Sequence, residues 1–118
     1  MTATTLRRLT KRSQFLNADR GRRSGRAAVQ MRSAETTDES PGLGLTVSKK
    51  VGNAPERNRI KRRLRAAARS CADAFQPRHD YVLIGRREAL GTPFATLCED
   101  LRILLDRIHA PAPGNPGR

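Results

Sequence analysis

The stretch from Arg57 to Arg65 constrains this chain more than any other. Six of its nine residues are cationic: Arg57, Arg59, Lys61, Arg62, Arg63 and Arg65. Only Asn58, Ile60 and Leu64 interrupt them. Charges this dense repel one another, so the segment needs an apolar edge to pack and a cationic face left to solvent or to a polyanion. The edge is present: Ile60, Leu64, Ala67, Cys71 and Phe75 recur at helical spacing. Asn53 or Ala54 is the cap, Glu56 stands three residues after Asn53 as in a capping box, and Pro55 suits a first helical turn. A helix from Asn53 to Phe75 is expected, stopped by Pro77. At about 100° per residue from Ile60, Arg57, Lys61, Arg65, Asn58, Arg69 and Arg62 span an arc from roughly 60° to 200°. Arg59 and Arg63 lie on the opposite flank, close to the apolar stripe. Repulsion along Arg57–Lys61–Arg65–Arg69 weakens an isolated helix by a few tenths of a kcal/mol per pair, and a bound polyanion would relieve it.

The rest of the chain frames that helix. Formal net charge is +13 over 118 residues, which points to a polyanionic partner. Residues 1–34 hold nine basic and one acidic residue, 35–48 hold three acidic and no basic, and 66–118 are nearly balanced. Such unevenness fits a folded scaffold with a basic face rather than a basic tail. Only 3% of residues are aromatic, too few for a platform that stacks many bases. No apolar run approaches the roughly 20 residues of a membrane-spanning helix, and Met1–Thr5 precedes no signal-like apolar stretch, so a cytoplasmic protein is expected, without a membrane partner. Cys71, Cys98, His79 and His109 lack metal-ligand spacing, and the two cysteines read as core thiols.

Patterning predicts a short helix over Ser13–Arg20 anchored by Phe15 and Leu16, then a flexible basic connector over Gly21–Gly25. A strand follows over Ala27–Arg32, then an acidic loop from Ser33 to Gly42. Leu43–Ser48 alternates, with Leu43, Leu45 and Val47 on one face and Gly44, Thr46 and Ser48 on the other. The small polar face is either simply solvated or a surface where an extended ligand can approach the backbone. The two strands are expected to pair antiparallel. Asp80–Arg86 reads as a strand buried on both faces. Thr92 as cap and Pro93 as first residue open a last helix carrying Phe94, Leu97, Cys98, Leu101, Leu105 and Ile108. Residues 110–118, rich in Pro and Gly, read as a disordered tail beyond a single domain over 1–109. The fold class is α+β: a small α-β sandwich, a mixed sheet packed by helices.

Ser48-Lys49-Lys50-Val51-Gly52-Asn53-Ala54, followed by Arg57-Asn58-Arg59-Ile60-Lys61-Arg62-Arg63-Leu64-Arg65, resembles the signature of the bacterial ribonuclease P protein subunit, with Arg57-Asn58-Arg59 as its RNR motif. Leu9 and Phe15 resemble the family's N-terminal helix region, and Gly42–Ser48 and Asp80–Val82 its strands. The resemblance implies a left-handed crossover from the central strand through the motif helix to a parallel strand, against the usual right-handed rule. It implies an endoribonuclease that is a ribonucleoprotein. A large catalytic RNA with Mg2+ removes the 5′ leader of precursor tRNA, and the protein alone has no hydrolytic centre. One monomeric protein per RNA is implied. Lys49, Lys50, Asn53, Arg57, Asn58, Arg59, Lys61, Arg62 and Arg65 match the RNA-docking motif. Phe15 matches an aromatic of the leader-binding cleft, with Arg12, Thr46 and Ser48 as further leader contacts. The family often carries a second Phe four residues after the first, where Asp19 stands here. An aromatic of its first strand has no counterpart in Ala28–Arg32.

The competing expectation is a ribosomal or other structured-RNA-binding protein without a nuclease partner, because phosphate binding carries no sequence information. A DNA-binding helix-turn-helix is disfavoured: no short partner helix lies three or four residues upstream of the motif helix.

Overall fold

A computed structural model describes residues 5–110 of the chain. The expected fraying of Met1–Thr5 and the expected tail of 110–118 fall almost wholly outside those residues. Five strands and three α-helices follow in the order β1 (Arg7–Arg8), α1 (Arg12–Arg20), β2 (Arg22–Gly25), β3 (Val29–Glu35), β4 (Gly42–Thr46), α2 (Ala54–Ser70), β5 (His79–Gly85) and α3 (Phe94–His109). They form one mixed sheet with the order β1-β4-β5-β3-β2. The α+β class stands, but the expected pairing does not. The strands flanking the acidic loop are separated by β5, which runs antiparallel to β3 and parallel to β4. Tyr81 to Ile84 is the most continuous apolar run in the chain, so it takes the centre, where both faces are covered. Parallel β4 and β5 then require the crossover that α2 supplies.

Alternation along β5 divides the interior. Tyr81 and Leu83 face the main core with Val29, Met31, Leu43, Ile60, Leu64, Leu97, Leu101 and Leu104. Gly85 shares that face: a Cβ there would lie 2.5 Å from Ile60 Cγ2. Val82 and Ile84 face the other way, onto Leu9, Phe15 and Ala18. Helices α2 and α3 thus cover one face and α1 the other.

Several boundaries differ from expectation for identifiable reasons. Gly21–Gly25 is not a flexible connector, since Arg22–Gly25 is an edge strand on β3. Its arginines find carbonyls that composition cannot reveal: Arg22 donates to Ile108 O at 2.6 Å and Ala110 O at 2.9 Å, and Arg23 to Asp19 O at 3.1 Å. Leu16 is exposed, and Ala18 makes the buried contact of α1 instead. Helix α2 stops at Ser70. A 3-10 turn over Ala72–Ala74 then swings Phe75 into edge-to-face contact with Tyr81, ring centroids 4.9 Å apart. Pro93, not Thr92, is the N-cap of α3, and the Thr92 hydroxyl donates to Glu88 O. Phe94 therefore precedes the buried stripe and is exposed. Burial pushes the Cys71 thiol up to about 11, which keeps it protonated and inert.

The end of α3 is fastened by a titratable lock. Gln76 N–H donates to the Tyr81 oxygen at 3.0 Å, leaving the phenol proton for His109 Nε2 at 2.5 Å. The imidazoles of His79 and His109 sit edge to face, 4.8 Å between centroids. Burial, then His79 and Arg22, hold the His109 pKa below its ordinary 6.5. The unfolded chain therefore takes up this proton first, and stability is lost as pH falls from about 6.5 through the lowered value. We expect thermal melts to show a smaller drop between pH 7.5 and pH 5 in His109→Gln, whose amide oxygen can accept the Tyr81 proton, than in the unsubstituted protein. Equal drops would remove His109 from the acid response.

Candidate nucleic-acid interface

Helix α2 starts where the sequence indicates. Asn53 Oδ1 accepts Glu56 N–H at 2.9 Å, and Glu56 Oε1 accepts Asn53 N–H at 3.0 Å. Ile60, Leu64, Ala67 and Ala68 are buried beneath it. Lys49 and Lys50 stand exposed on a 3-10 turn just upstream.

The cations of the motif then divide by what they touch. Arg63 turns inward and donates to three carbonyls of the segment between β5 and α3: Ala89 O at 2.5 Å, Leu90 O at 3.1 Å and Thr92 O at 2.6 Å. Arg57 Nη1 donates to Gly52 O at 2.7 Å, so the first motif arginine is partly engaged in holding the helix entry. Arg87 crosses back from the same segment to Val51 O at 2.8 Å and the Glu56 carboxylate at 3.1 Å. Gly52 belongs to this clamp: an added Cβ would lie 2.4 Å from Glu56 Oε1. Its small size admits a carboxylate of its own chain. The side chains of Asn58, Arg59, Lys61, Arg62, Arg65 and Arg69 have no hydrogen-bond or ion-pair partner among the described residues.

Beside α2 lies an open cleft of about 470 Å³, lined by Leu6, Arg8, Leu9, Phe15, Leu43, Gly44, Leu45, Lys61, Arg65 and Arg69. Four cations and no carboxylate line it. Phe15 from α1 forms one wall and α2 the other, with β4 between them. The Phe15 ring lies directly over Gly44, where a Cβ would sit 2.7 Å from two ring carbons. Gly44 thus admits an aromatic of the same chain. Of the other expected leader contacts, Thr46 is exposed two residues beyond Gly44 on the α1 face, Ser48 is exposed at the entry to the 3-10 turn, and Arg12 is exposed at the start of α1. None of those three lines the cleft. Arg8, Arg69 and Leu45 do. Arg69 could be read from its place in the i,i+4 series; Arg8 and Leu45 depend on the unanticipated β1.

Asp19, at the position where the family often carries a second Phe, forms an ion pair with Arg32 of β3. Other carboxylates are likewise engaged: Asp80 and Asp38 with Arg7, Glu39 with Arg78, and Asp100 with Arg26. No three His, Cys, Asp or Glu side chains converge among the described residues. No helix among them is long and apolar enough to cross a membrane.

Fold and site together define a small α+β protein built to present a cationic helix beside an aromatic-walled cleft. The chain matches the Ribonuclease P family over residues 4–109 and belongs to that family. It is 48% identical over 110 residues to the ribonuclease P protein component of Ruegeria pomeroyi, covering 89% of this chain and 88% of that one. Identity is 44% over 119 positions to the component of Paramagnetospirillum magneticum, covering 92% and 86%. Among solved structures, the RNase P protein of Thermotoga maritima superposes with a TM-score of 0.73 at 27% identity, covering 84% of this chain and 94% of that chain. The RNase P protein of Staphylococcus aureus shares the fold with a TM-score of 0.73 at 24% identity, covering 89% and 97%. The chain is thus a bacterial-type protein component of ribonuclease P, a ribonucleoprotein of tRNA processing.

Proposed function

We propose that this protein docks on the catalytic RNA of ribonuclease P through the free face of α2 and holds the 5′ leader of precursor tRNA beside Phe15. The single observation that carries this is the division of cations. Arg63 and, in part, Arg57 serve the fold, while Arg59, Lys61, Arg62, Arg65 and Arg69 are left for phosphates. Arginines engage phosphate oxygens in a forked pair and Lys61 acts as a point charge. Asn58 can donate and accept on a base edge or a 2′-hydroxyl. Lys49 and Lys50 extend the cationic surface upstream. Asn53 shapes the same surface by capping the helix.

The leader is single-stranded, so its bases can stack on Phe15, an interaction worth roughly 1–3 kcal/mol per base. Arg12, Thr46 and Ser48 lie outside the cleft and would meet nucleotides beyond it. Phosphodiester hydrolysis belongs to the RNA with Mg2+, which supplies charge neutralisation at the scissile phosphate. This chain's contribution is binding and orientation: six of its carboxylates are ion-paired with arginines rather than gathered as metal ligands. One protein per RNA in a cytoplasmic ribonucleoprotein completes the reading.

The test is cleavage of precursor tRNA at low Mg2+ by the cognate catalytic RNA, with and without this protein. Restored 5′ cleavage, with the protein inert alone, is the expected result. Tight RNA binding without restored cleavage would favour a plain structured-RNA-binding protein.

A further inference from the structure

The cleft floor carries a hydrogen-bonding group that no side chain supplies. Strand β1 pairs with β4 only at Gly42 and Leu43. Leu9 N–H donates to Leu43 O at 3.1 Å, so the Leu43 peptide groups face β1. Alternate residues of a parallel strand direct their N–H and C=O to the same side. The N–H and C=O of Leu45 therefore point away from β5, past the end of β1 and into the cleft that Leu45 lines. Neither has a backbone or side-chain partner among the described residues. An edge strand left open in this way is a template for another chain unless it is covered or put to use.

We propose that the outward N–H and C=O of Leu45 together clasp one base of the precursor tRNA leader; this rests on the function proposed above. A donor and an acceptor side by side match the edge of any nucleobase, which presents the same pair in reverse. Single-stranded RNA is the state in which such edges are free. The surroundings select a nucleotide over an added peptide strand. Phe15 offers a stacking face on one side, and Arg8, Lys61, Arg65 and Arg69 meet the phosphates on the other, with no carboxylate among the lining residues. Because the contact is made by backbone, it reads that a base is present without depending on a side chain's identity.

Leu45→Pro tests this in the holoenzyme. Proline removes the outward N–H and no ladder bond to β5, a position where an edge strand tolerates it. We expect the dissociation constant for precursor tRNA to rise about five- to tenfold, the loss of one hydrogen bond, while that for mature tRNA stays the same. Equal weakening for both RNAs, or no change, overturns the proposal. Should Leu45→Pro fail to fold, residue-resolved amide exchange on the unsubstituted holoenzyme decides. Slowed exchange at Leu45 with precursor but not mature tRNA supports the clasp. Protection already complete with the catalytic RNA alone, or in concentrated protein without RNA, overturns it by assigning the edge to that RNA or to a second copy. A protein that restores cleavage yet shows no effect at Leu45 refutes only this inference; one that restores no cleavage refutes the function beneath it.

Discussion

Arg63→Ala is expected to destabilise the fold by about 2–4 kcal/mol, yet to leave the salt dependence of RNA binding unchanged. The three carbonyls that Arg63 satisfies lie on the segment joining β5 to α3. Removing the guanidinium strands them in a half-buried setting, where charge-assisted bonds are strongest. For a domain of this size the loss corresponds to a fall in melting temperature of roughly 10 °C or more. Arg63→Lys should recover little, because one ammonium cannot reproduce a planar fork across three acceptors. Its neighbour should behave in the opposite way. Arg62 is exposed, so Arg62→Ala is expected to change stability by no more than about 0.5 kcal/mol. It should lower the slope of log affinity against log salt by about 0.7–0.9, one released counterion. Melting curves and a salt titration on both variants suffice. A slope change for Arg63→Ala equal to that of Arg62→Ala would put Arg63 on the RNA and undo the division of the motif's cations.

This division also shows how far the sequence could be read. The helix, its capping box and its cationic arc were legible because they depend on local chemistry: spacing, a cap and a proline. The placement of Arg63 near the apolar edge was legible too, from its angle alone. Its acceptors were not, because they belong to the segment between β5 and α3, 26 to 29 residues away in sequence. The strands show the same limit. Leu43–Val47 and Tyr81–Ile84 declared themselves by pattern, but which strand neighbours which is settled by long-range burial. Hence β5 was not anticipated between β3 and β4. Strands β1 and β2 carry Arg-Arg pairs where apolar alternation is normally sought, and each is held by carbonyls or a carboxylate elsewhere in the chain. Arg7 reaches Asp80 at 2.7 Å across 73 residues. Without β1, the open edge at Leu45 could not be seen, and the cleft lacked its floor. Family resemblance named Phe15, while the structure supplied its seat on Gly44.

That seat makes the second large effect. Gly44→Ala is expected to weaken binding of precursor tRNA about tenfold relative to mature tRNA, matching Phe15→Ala although no ligand-facing atom is removed. An alanine Cβ would lie 2.7 Å from both Cε2 and Cζ of Phe15 and 3.2 Å from Leu9 Cδ1. The Phe15 ring must swing off the strand, since neither α1 nor the β4–β5 ladder can yield without breaking the contacts of Ala18 and Val82 beneath. Overpacking of this kind costs about 1–3 kcal/mol of stability, less than the fold can bear, so binding can be measured on folded protein. The discriminating experiment is the double-mutant cycle. If Gly44 acts by placing Phe15, the substitutions should be strongly non-additive, and Gly44→Ala should add almost nothing once Phe15 is alanine. Additive losses would mean that Gly44 meets the leader on its own account and that Phe15 works elsewhere. Equal losses for precursor and mature tRNA in both single variants would remove the leader from this wall of the cleft and leave RNA binding to α2.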